Sequence, residues 1–271
     1  MELTVDGRTA YAYTGGKPFD PALPSVVFIH GALNDHSVWT LLARWFAHHG
    51  HSVLAVDLPG HRRSAGPALP SVESLADWTL ALLDAASVST AALVGHSLGS
   101  LIALEAAARA PQRATALVMV ATAYPMKVSK ALLDTLLAEP LRAIDMVVSY
   151  SHSTLAAKPS YPGPGSWLRG GSCALMRLVE AAHPGLFHHD FSVCDRYANG
   201  LQAAAKVQCP VSLITGTADQ MTLPKMSREL AQALSATVHT VDAGHQIMAE
   251  APEQVLAALR TALMPTRRPM S

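Results

Sequence analysis

A serine between two glycines, directly after an apolar run, has the setting of a catalytic nucleophile. The stretch reads Gly-His-Ser-Leu-Gly at 95–99 and follows the apolar residues 91–94. The pattern predicts a buried strand, a sharp corner at Ser97 and then a helix. Side chains flanking so tight a turn would collide, which explains the two glycines. The spacing therefore predicts a strained, exposed serine hydroxyl, and a helix-capping serine is the plainer alternative.

A serine hydroxyl is a weak nucleophile that needs a base, and the base needs an acid to orient it. Asp219 follows the predicted strand 210–216, and His245 follows the predicted strand 236–242. Both therefore lie beyond the carboxyl ends of strands, on the same edge of the sheet as Ser97. The chain order Ser, Asp, His is one of three known for this triad. We predict Ser97 as nucleophile, Asp219 as acid and His245 as base.

These assignments have alternatives. Asp219 could be a turn or cap aspartate, and His245 a cap histidine. Asp242 is a rival acid, but its closeness to His245 in sequence gives it a poorer geometry for orienting the ring. Histidine-rich stretches at 48–51 and 188–190 look like metal ligands, yet neither has convincing ligand spacing. We predict no metal site.

The negative charge that develops during acyl transfer needs two backbone donors, the oxyanion hole. One is the N–H of Leu98, immediately after the nucleophile, where the helix dipole also favours negative charge. The other is expected from the loop at 30–35, after the third strand, and we predict the Ala32 N–H. Three catalytic groups and two donors in compatible places are more specific than any single motif.

Strands and helices alternate along most of the chain, which predicts a parallel sheet covered on both faces. The alternation stops after residue 123. Within 124–206 the chain offers helical pieces and a Pro/Gly-rich loop at 158–171, a mobile pocket entrance or a plain linker. We predict an α/β core from 1–123 and 207–264, with 124–206 as an inserted helical cap. A disordered tail is predicted at 265–271.

Composition narrows the class of protein. Half of the 271 residues are apolar, and 20 Lys+Arg balance 20 Asp+Glu, so nucleic acid is not an expected partner. Three cysteines without CxxC spacing are typical of a reducing compartment. No signal peptide is evident, and no window approaches about 18 unbroken apolar residues. We expect a cytoplasmic protein that does not bind membranes; the sequence does not indicate its oligomeric state.

Taken together, these motifs resemble the α/β-hydrolase superfamily, and the likeness covers nearly the whole chain. The matching segments are FIHGALNDHSVW, VLAVDLPGHRRS, LVGHSLGS, LITGTADQMT and DAGHQIMAEAPE. Within the superfamily the chain is most similar to small esterase-like serine hydrolases with a helical cap. The resemblance implies an eight-stranded, mostly parallel sheet flanked by helices, with the cap after the sixth strand. It also implies the catalytic roles of Ser97, Asp219 and His245, and no cofactor.

One turn departs from the family pattern. The family usually reads Pro-Gly-His-Gly-x-Ser, whereas this chain reads Pro-Gly-His-Arg-Arg-Ser at 59–64, with Arg62 in place of glycine. We expect Arg62 to affect the pocket rim or only the turn, without a catalytic role. The resemblance implies that Asp57, just before this turn, is structural.

A serine nucleophile points to acyl transfer to water, because dehalogenase and epoxide-hydrolase chemistries would need a carboxylate at position 97. We expect a carboxylic ester of small to medium size as the substrate. The same triad could instead open lactones, cleave amides, hydrolyse a carbon–carbon bond of a diketone or make peracids, or the chain could be a triad-bearing receptor. Carbon–carbon hydrolysis would need a carboxylate-binding side chain, for which Arg142 and Arg169 are candidates.

The cap holds the candidate pocket walls, although each of these side chains could equally pack the cap's own core. They are Tyr124, Met126, Met146, Tyr150, Tyr161, Trp167, Met176 and Phe187. His152 could bond a polar group of the substrate or lie at a wet surface.

Overall fold

The fold is built on one eight-stranded sheet, seen in a computed structural model that describes residues 1–153 and 164–264. The strands are β1 (Glu2–Val5), β2 (Arg8–Tyr13), β3 (Ser25–Ile29), β4 (Ser52–Val56), β5 (Ala91–His96), β6 (Ala114–Val120), β7 (Val211–Gly216) and β8 (Thr237–Val241). Their order is β1-β2-β4-β3-β5-β6-β7-β8. Only β1 and β2 run antiparallel to their neighbours. The predicted eight-stranded, mostly parallel sheet is confirmed.

Helices follow most of the strands. They are α1 (Thr40–Ala47), α2 (Val72–Ala85), α3 (Leu98–Arg109), α4 (Lys130–Ala138), α5 (Pro140–Ser151), α6 (Pro164–Ala182), α7 (Leu186–Arg196), α8 (Gly200–Ala204), α9 (Arg228–Ala233), α10 (Ile247–Glu250) and α11 (Pro252–Leu263). Helices α10 and α11 are separate, because Pro252 lacks the N–H that would continue one helix through both. Within the described ranges, no helix is long and apolar enough to cross a bilayer.

Both faces of the central strands β3 to β7 are buried, as expected for parallel strands. In β3, Val27 and Ile29 belong to one apolar cluster and Val26 and Phe28 to another, because successive side chains point to opposite faces. Helices α2 and α3 cover the first cluster, whereas α1 and α11 cover the second. This double cover fixes the strands, so the loops at their carboxyl ends start from a rigid base.

The segment predicted as a cap, 124–206, contains only helices among its described residues. Helices α4 to α7 surround an apolar cluster of their own, which includes Ile144, Val179 and Phe187. Leu33, from the loop after β3, also belongs to this cluster. The helical segment is therefore packed onto the sheet edge where the candidate site lies, and its domain boundaries stay a prediction.

The prediction of a loop at 158–171 is wrong for its second half, because residues 164–171 form the first turns of α6. Proline suits the first turn of a helix, and Pro164 stands there. Gly170 and Gly171 each cost a helix about 1 kcal/mol relative to alanine. The contacts of α6 with α5 offset that cost. Residues 158–163 and the predicted tail at 265–271 lie outside the described residues.

Candidate active site

Ser97 occupies the corner between β5 and α3, in a backbone conformation that is rare for a residue with a side chain. Its φ is 52° and its ψ is −118°. The Ser97 N–H donates to the Val120 carbonyl of β6 at 2.9 Å, which holds the corner in place. A Cβ on Gly95 would overlap the carbonyl of Gly99. The prediction of a strained serine between obligatory glycines is confirmed.

The loops after β7 and β8 bring Asp219 and His245 together. The His245 Nδ1 lies 2.9 Å from the Asp219 Oδ2. The Asp219 Oδ1 accepts the N–H groups of Met221 and Thr222, each at 2.8 Å, and its Oδ2 accepts the Thr222 hydroxyl at 2.7 Å. Burial acts to raise the pKa of Asp219, but the charge of His245 and these hydrogen bonds lower it below its ordinary value. The carboxylate is therefore ionised and aimed at the ring.

The His245 ring is arranged as a base. Its contact with a carboxylate places the ring proton on Nδ1, so Nε2 keeps its lone pair. No donor or acceptor among the described residues contacts that Nε2. His245, Ser97 and Ala32 line the same cavity. The structure thus collects Ser97, Asp219 and His245 at one place, while their catalytic roles stay a prediction.

His96, just before the serine, is a site residue that sequence reasoning missed. Its Nε2 donates to the backbone carbonyl of His245 at 3.0 Å, which ties the serine corner to the His245 loop. Burial, with the neighbouring His245, lowers the pKa of His96 to about 3, so its ring is neutral. No sequence pattern signalled this contact, because 149 residues separate its partners.

The two predicted oxyanion donors have free N–H groups. Leu98 is the first residue of α3, where an N–H has no partner within the helix. The Ala32 N–H also lacks an acceptor among the described residues. A Cβ on Gly31 would lie 3.2 Å from the Ser97 Cβ, so the loop carrying Ala32 runs directly against the serine corner. This placement is compatible with an oxyanion hole, which stays a prediction.

Asp242, the rival acid, and Asp57, which the resemblance implies is structural, both have partners other than His245. Asp242 accepts the Thr217 hydroxyl at 3.0 Å and does not contact His245. Asp57 accepts the His36 N–H at 2.8 Å and contacts its Nδ1 at 2.7 Å. It therefore fixes the loop before α1, a structural task.

In the described cluster that most resembles a metal site, the carboxylates already accept hydrogen bonds from protein donors. Within the described part of the chain, Asp35, His36 and Asp57 place ligand-type atoms within 4.8 Å of one another. Arg62 donates its Nε to the Asp35 Oδ2 at 2.9 Å. A guanidinium at this position supplies the positive charge that a cation would bring. Of the histidine-rich stretches, His189 contacts the Leu69 carbonyl at 2.8 Å.

A cavity of about 440 Å³ opens beside Ser97 and His245, and most of its wall is apolar. Of the predicted walls, Met126, Met146, Tyr150 and Met176 line it. Tyr124 instead donates to the Ala198 carbonyl at 2.7 Å, and Phe187 is fully buried in the cap cluster. Tyr161 and the Trp167 side chain lie outside the described residues. Sequence reasoning missed further lining residues, among them Asn34, Leu132, Phe191, Cys194, Gln220 and Met221.

The polar cap residues singled out in the sequence do not line the cavity. Arg142 pairs with Glu139 at 2.8 Å on the surface, and the Arg169 Nη2 donates to the Ser149 hydroxyl at 2.5 Å. His152 is buried, with its Nδ1 2.8 Å from the Val148 carbonyl. Lys127, at the rim, is the one lysine or arginine among the described lining residues, and it donates to a backbone carbonyl at 2.5 Å.

Comparisons with known proteins identify the family of the chain. Residues 24–157 match the family model described as the alpha/beta hydrolase fold. Pimeloyl-[acyl-carrier protein] methyl ester esterase of Chromobacterium violaceum is 31% identical over 225 residues, which are 79% of this chain and 84% of that protein. The acetoin-cleaving-system acetyltransferase component of Pseudomonas putida is 38% identical over 100 residues. That match covers 36% of this chain, which thus spans about a quarter (26%) of that relative's length.

A solved structure agrees over nearly the whole chain. The enol-lactonase from Burkholderia xenovorans LB400 has a TM-score of 0.82, is 22% identical, and is matched over 97% of this chain and 99% of that one. At this identity the likeness shows the fold alone. With the sheet order, the strained serine corner and the match to the esterase, it leads to one conclusion: the chain belongs to the α/β-hydrolase superfamily.

Proposed function

We propose that the chain is a serine hydrolase that cleaves small to medium, uncharged carboxylic esters through an acyl-enzyme. One observation carries the proposal: a strained serine and a carboxylate-oriented histidine line the same cavity. A histidine with a free Nε2 accepts a proton, and a serine at a helix N-terminus develops negative charge where the helix dipole favours it.

The proposed mechanism uses only groups of this chain. His245 takes the Ser97 proton as the Oγ attacks the ester carbonyl, and Asp219 stabilises the imidazolium that forms. The N–H groups of Ala32 and Leu98 donate to the tetrahedral oxyanion. His245 then protonates the departing alcohol. Water, activated by the same histidine, attacks the acyl-serine and regenerates the free enzyme.

The cavity supports an uncharged substrate with a flexible apolar group. Four methionines line it, at 126, 146, 176 and 221. Methionine side chains adapt to differently shaped apolar groups. The Lys127 ammonium is exposed at the rim and is bound to the Asp195 carbonyl, so none of the described lining residues presents an unpaired lysine or arginine to the interior. Arg142 and Arg169 lie away from the lining, which disfavours carbon–carbon hydrolysis of an acidic diketone.

Two features of the comparison bear on the proposal. The relative from Chromobacterium violaceum is named an ester esterase, which supports ester cleavage. Epoxide-opening relatives of this superfamily use a carboxylate nucleophile, whereas position 97 is serine. We further propose a cytoplasmic location, since the three cysteines are unpaired.

The test is hydrolysis of p-nitrophenyl esters from acetate to decanoate by wild type, Ser97→Ala and Ser89→Ala. Ser89 is the matched control, because it is exposed and precedes β5 at the opposite edge of the sheet. We expect Ser97→Ala to lower kcat by about 10⁵-fold or more, and Ser89→Ala to match wild type. Chain lengths that fit the cavity should give the highest kcat/KM. Substantial turnover by folded Ser97→Ala would sink the proposal.

A further inference from the structure

The loop after β3 contains a strained turn, which we call the oxyanion turn (residues 31–34). The Asn34 N–H donates to the Gly31 carbonyl at 3.3 Å. Leu33 has a positive φ of 51°, whereas Ala32 does not. This combination is a type II turn, which prefers glycine at the third position. A leucine there favours the alternative type I turn, in which the Ala32–Leu33 peptide is flipped.

Two hydrogen bonds hold that peptide in its unfavourable orientation. At one end, the Leu33 N–H donates to the Asp190 Oδ2 at 2.8 Å. At the other, the Asn34 side-chain amide donates to the Ala32 carbonyl at 2.9 Å. A flipped peptide would exchange the directions of the N–H and the carbonyl, and it would break both bonds. Asp190 comes from α7, 157 residues away, so its contact is tertiary.

The Asp190 carboxylate is kept ionised by a histidine. The His61 Nε2 lies 2.9 Å from the same Oδ2, while its Nδ1 faces the Pro59 carbonyl at 3.2 Å. Since both ring nitrogens face acceptors, His61 carries two protons and a positive charge. Burial opposes both charges, yet their mutual attraction raises the pKa of His61 and lowers that of Asp190. The turn is thus held by a full negative charge.

We propose that Asp190 is a positioning residue for the oxyanion turn: it holds the Ala32–Leu33 peptide and thereby anchors the loop that presents the adjoining Ala32 N–H beside Ser97. The proposal rests on the proposed function, because that N–H is its second oxyanion donor. The Leu33 side chain, fully buried in the cap cluster beside Phe187, ties the same turn to the cap a second time. Asp190 acts through the turn and does not touch the substrate.

The experiment compares Asp190→Ala and Asp190→Asn with Glu180→Ala. Glu180 is the matched control, since it is a buried cap carboxylate that accepts the N–H groups of Gly185 and Phe187 and does not contact the oxyanion turn. Two readouts are taken. One is kcat and KM for p-nitrophenyl butyrate, and the other is hydrogen–deuterium exchange of the Leu33 amide, which does not depend on turnover.

We expect Asp190→Ala to lower kcat about 10- to 100-fold, less than loss of a whole oxyanion donor, with KM changed less than about threefold. Its Leu33 amide should exchange faster. Asp190→Asn keeps an acceptor for the Leu33 N–H and should retain most of the activity. Glu180→Ala should keep both kcat and the protection of the Leu33 amide, even if its melting temperature falls as far as that of Asp190→Ala.

Equal kcat losses in Asp190→Ala and Glu180→Ala would overturn the proposal, because a purely structural role predicts that result. Unchanged Leu33 exchange in Asp190→Ala would overturn it as well. If Asp190→Ala does not fold, Asp190→Asn carries the test, and loss of Leu33 protection in that folded variant contradicts the account. If the wild type is inactive but the exchange of its Leu33 amide depends on Asp190, the result counts against the proposed function. It still supports the contact by which Asp190 holds the oxyanion turn.

Discussion

Two buried histidine–aspartate pairs in this molecule have the same length and opposite chemical character. His245 with Asp219 and His61 with Asp190 are both joined at 2.9 Å. In the second pair the other ring nitrogen faces the Pro59 carbonyl, so the ring is a cation without a lone pair. In the first pair no described residue bonds to the other nitrogen, which keeps its lone pair when the ring proton is on Nδ1. The second nitrogen, and not the carboxylate, decides which histidine can act as a base.

Their positions follow the same division. His245 lines the cavity beside Ser97, while His61 lies behind the oxyanion turn and does not line it. The first pair joins two loops of the sheet, and the second joins the loop after β4 to α7. The first pair therefore lies where the proposed mechanism needs a base, and the second joins the cap helix α7 to the loop after β4.

The largest expected difference between the pairs is in catalysis. We expect His245→Gln to lower kcat for p-nitrophenyl butyrate by about 10⁵-fold or more, because the general base is lost. His61→Gln leaves Ser97, Asp219 and His245 in place and should lower kcat by about tenfold or less. Steady-state kinetics of the two variants measures the contrast. Comparable losses of kcat in the two variants would contradict the view that only His245 has a ring nitrogen able to act as a base.

The next effect is on stability and its dependence on pH. Raising the pKa of His61 above 6.5 stabilises the fold below that pH, and this contribution is lost as pH rises through the folded value. Lowering the pKa of Asp190 below 3.8 stabilises the fold above that pH, and this contribution is lost as pH falls through the folded value. The His61–Asp190 pair should therefore stabilise the fold most between about pH 3.8 and pH 6.5.

Urea unfolding of wild type and His61→Gln from pH 5.5 to 9.5 tests this dependence. Near pH 6 we expect the variant to be about 3 kcal/mol less stable, because Asp190 is left as an unpaired buried charge. The gap should narrow as pH rises and His61 of the wild type loses its proton. His30 and Asp57 also face His61, and burial together with the charge of His61 lowers the pKa of His30 to about 4. The comparison therefore starts at pH 5.5, where His30 of the wild type is neutral. A gap that stays constant with pH would contradict the assigned charge.

The smallest effect is expected at Arg62, where the family has glycine. Arg62 has a positive φ of 43°, and its Nε is bound to Asp35. Arg62→Gly relieves the backbone strain and loses a half-exposed ion pair, so we expect a net stability change within about 1 kcal/mol. Neighbouring Arg63→Gly is the control: it gains no relief of that kind and loses a contact over the Tyr11 ring. Thermal melts should rank Arg63→Gly below Arg62→Gly, and the reverse order would refute this explanation.

The parts of the fold that sequence predicts well are those with local signals. The central strands are short apolar runs, and Ser97 and Asp219 follow two of them, while His245 follows the β-branched strand β8. A glycine pair around a serine is likewise a local requirement of one tight corner. The strand ends therefore located the candidate site before any tertiary contact was known.

The rest depends on contacts between distant segments, for which the sequence has no signal. Asp190 lies in a histidine-rich stretch that looks like a set of metal ligands, yet its partners are Leu33 and His61. The sequence does not show which candidate wall residues line the cavity: Met176 lines it, whereas Phe187 is buried in the cap cluster. An apolar residue on a helix suits both places equally, and only the packing of the helices chooses between them.

The most direct test of the account is to identify the residue that attacks the substrate. Wild type, Ser97→Ala and His245→Gln are incubated with a neutral p-nitrophenyl alkylphosphonate, and the adduct is mapped by peptide mass spectrometry. The account predicts a stoichiometric adduct on Ser97 in wild type, none in Ser97→Ala, and formation slowed by orders of magnitude in His245→Gln. An adduct on another residue, or equal labelling rates in wild type and His245→Gln, would contradict it.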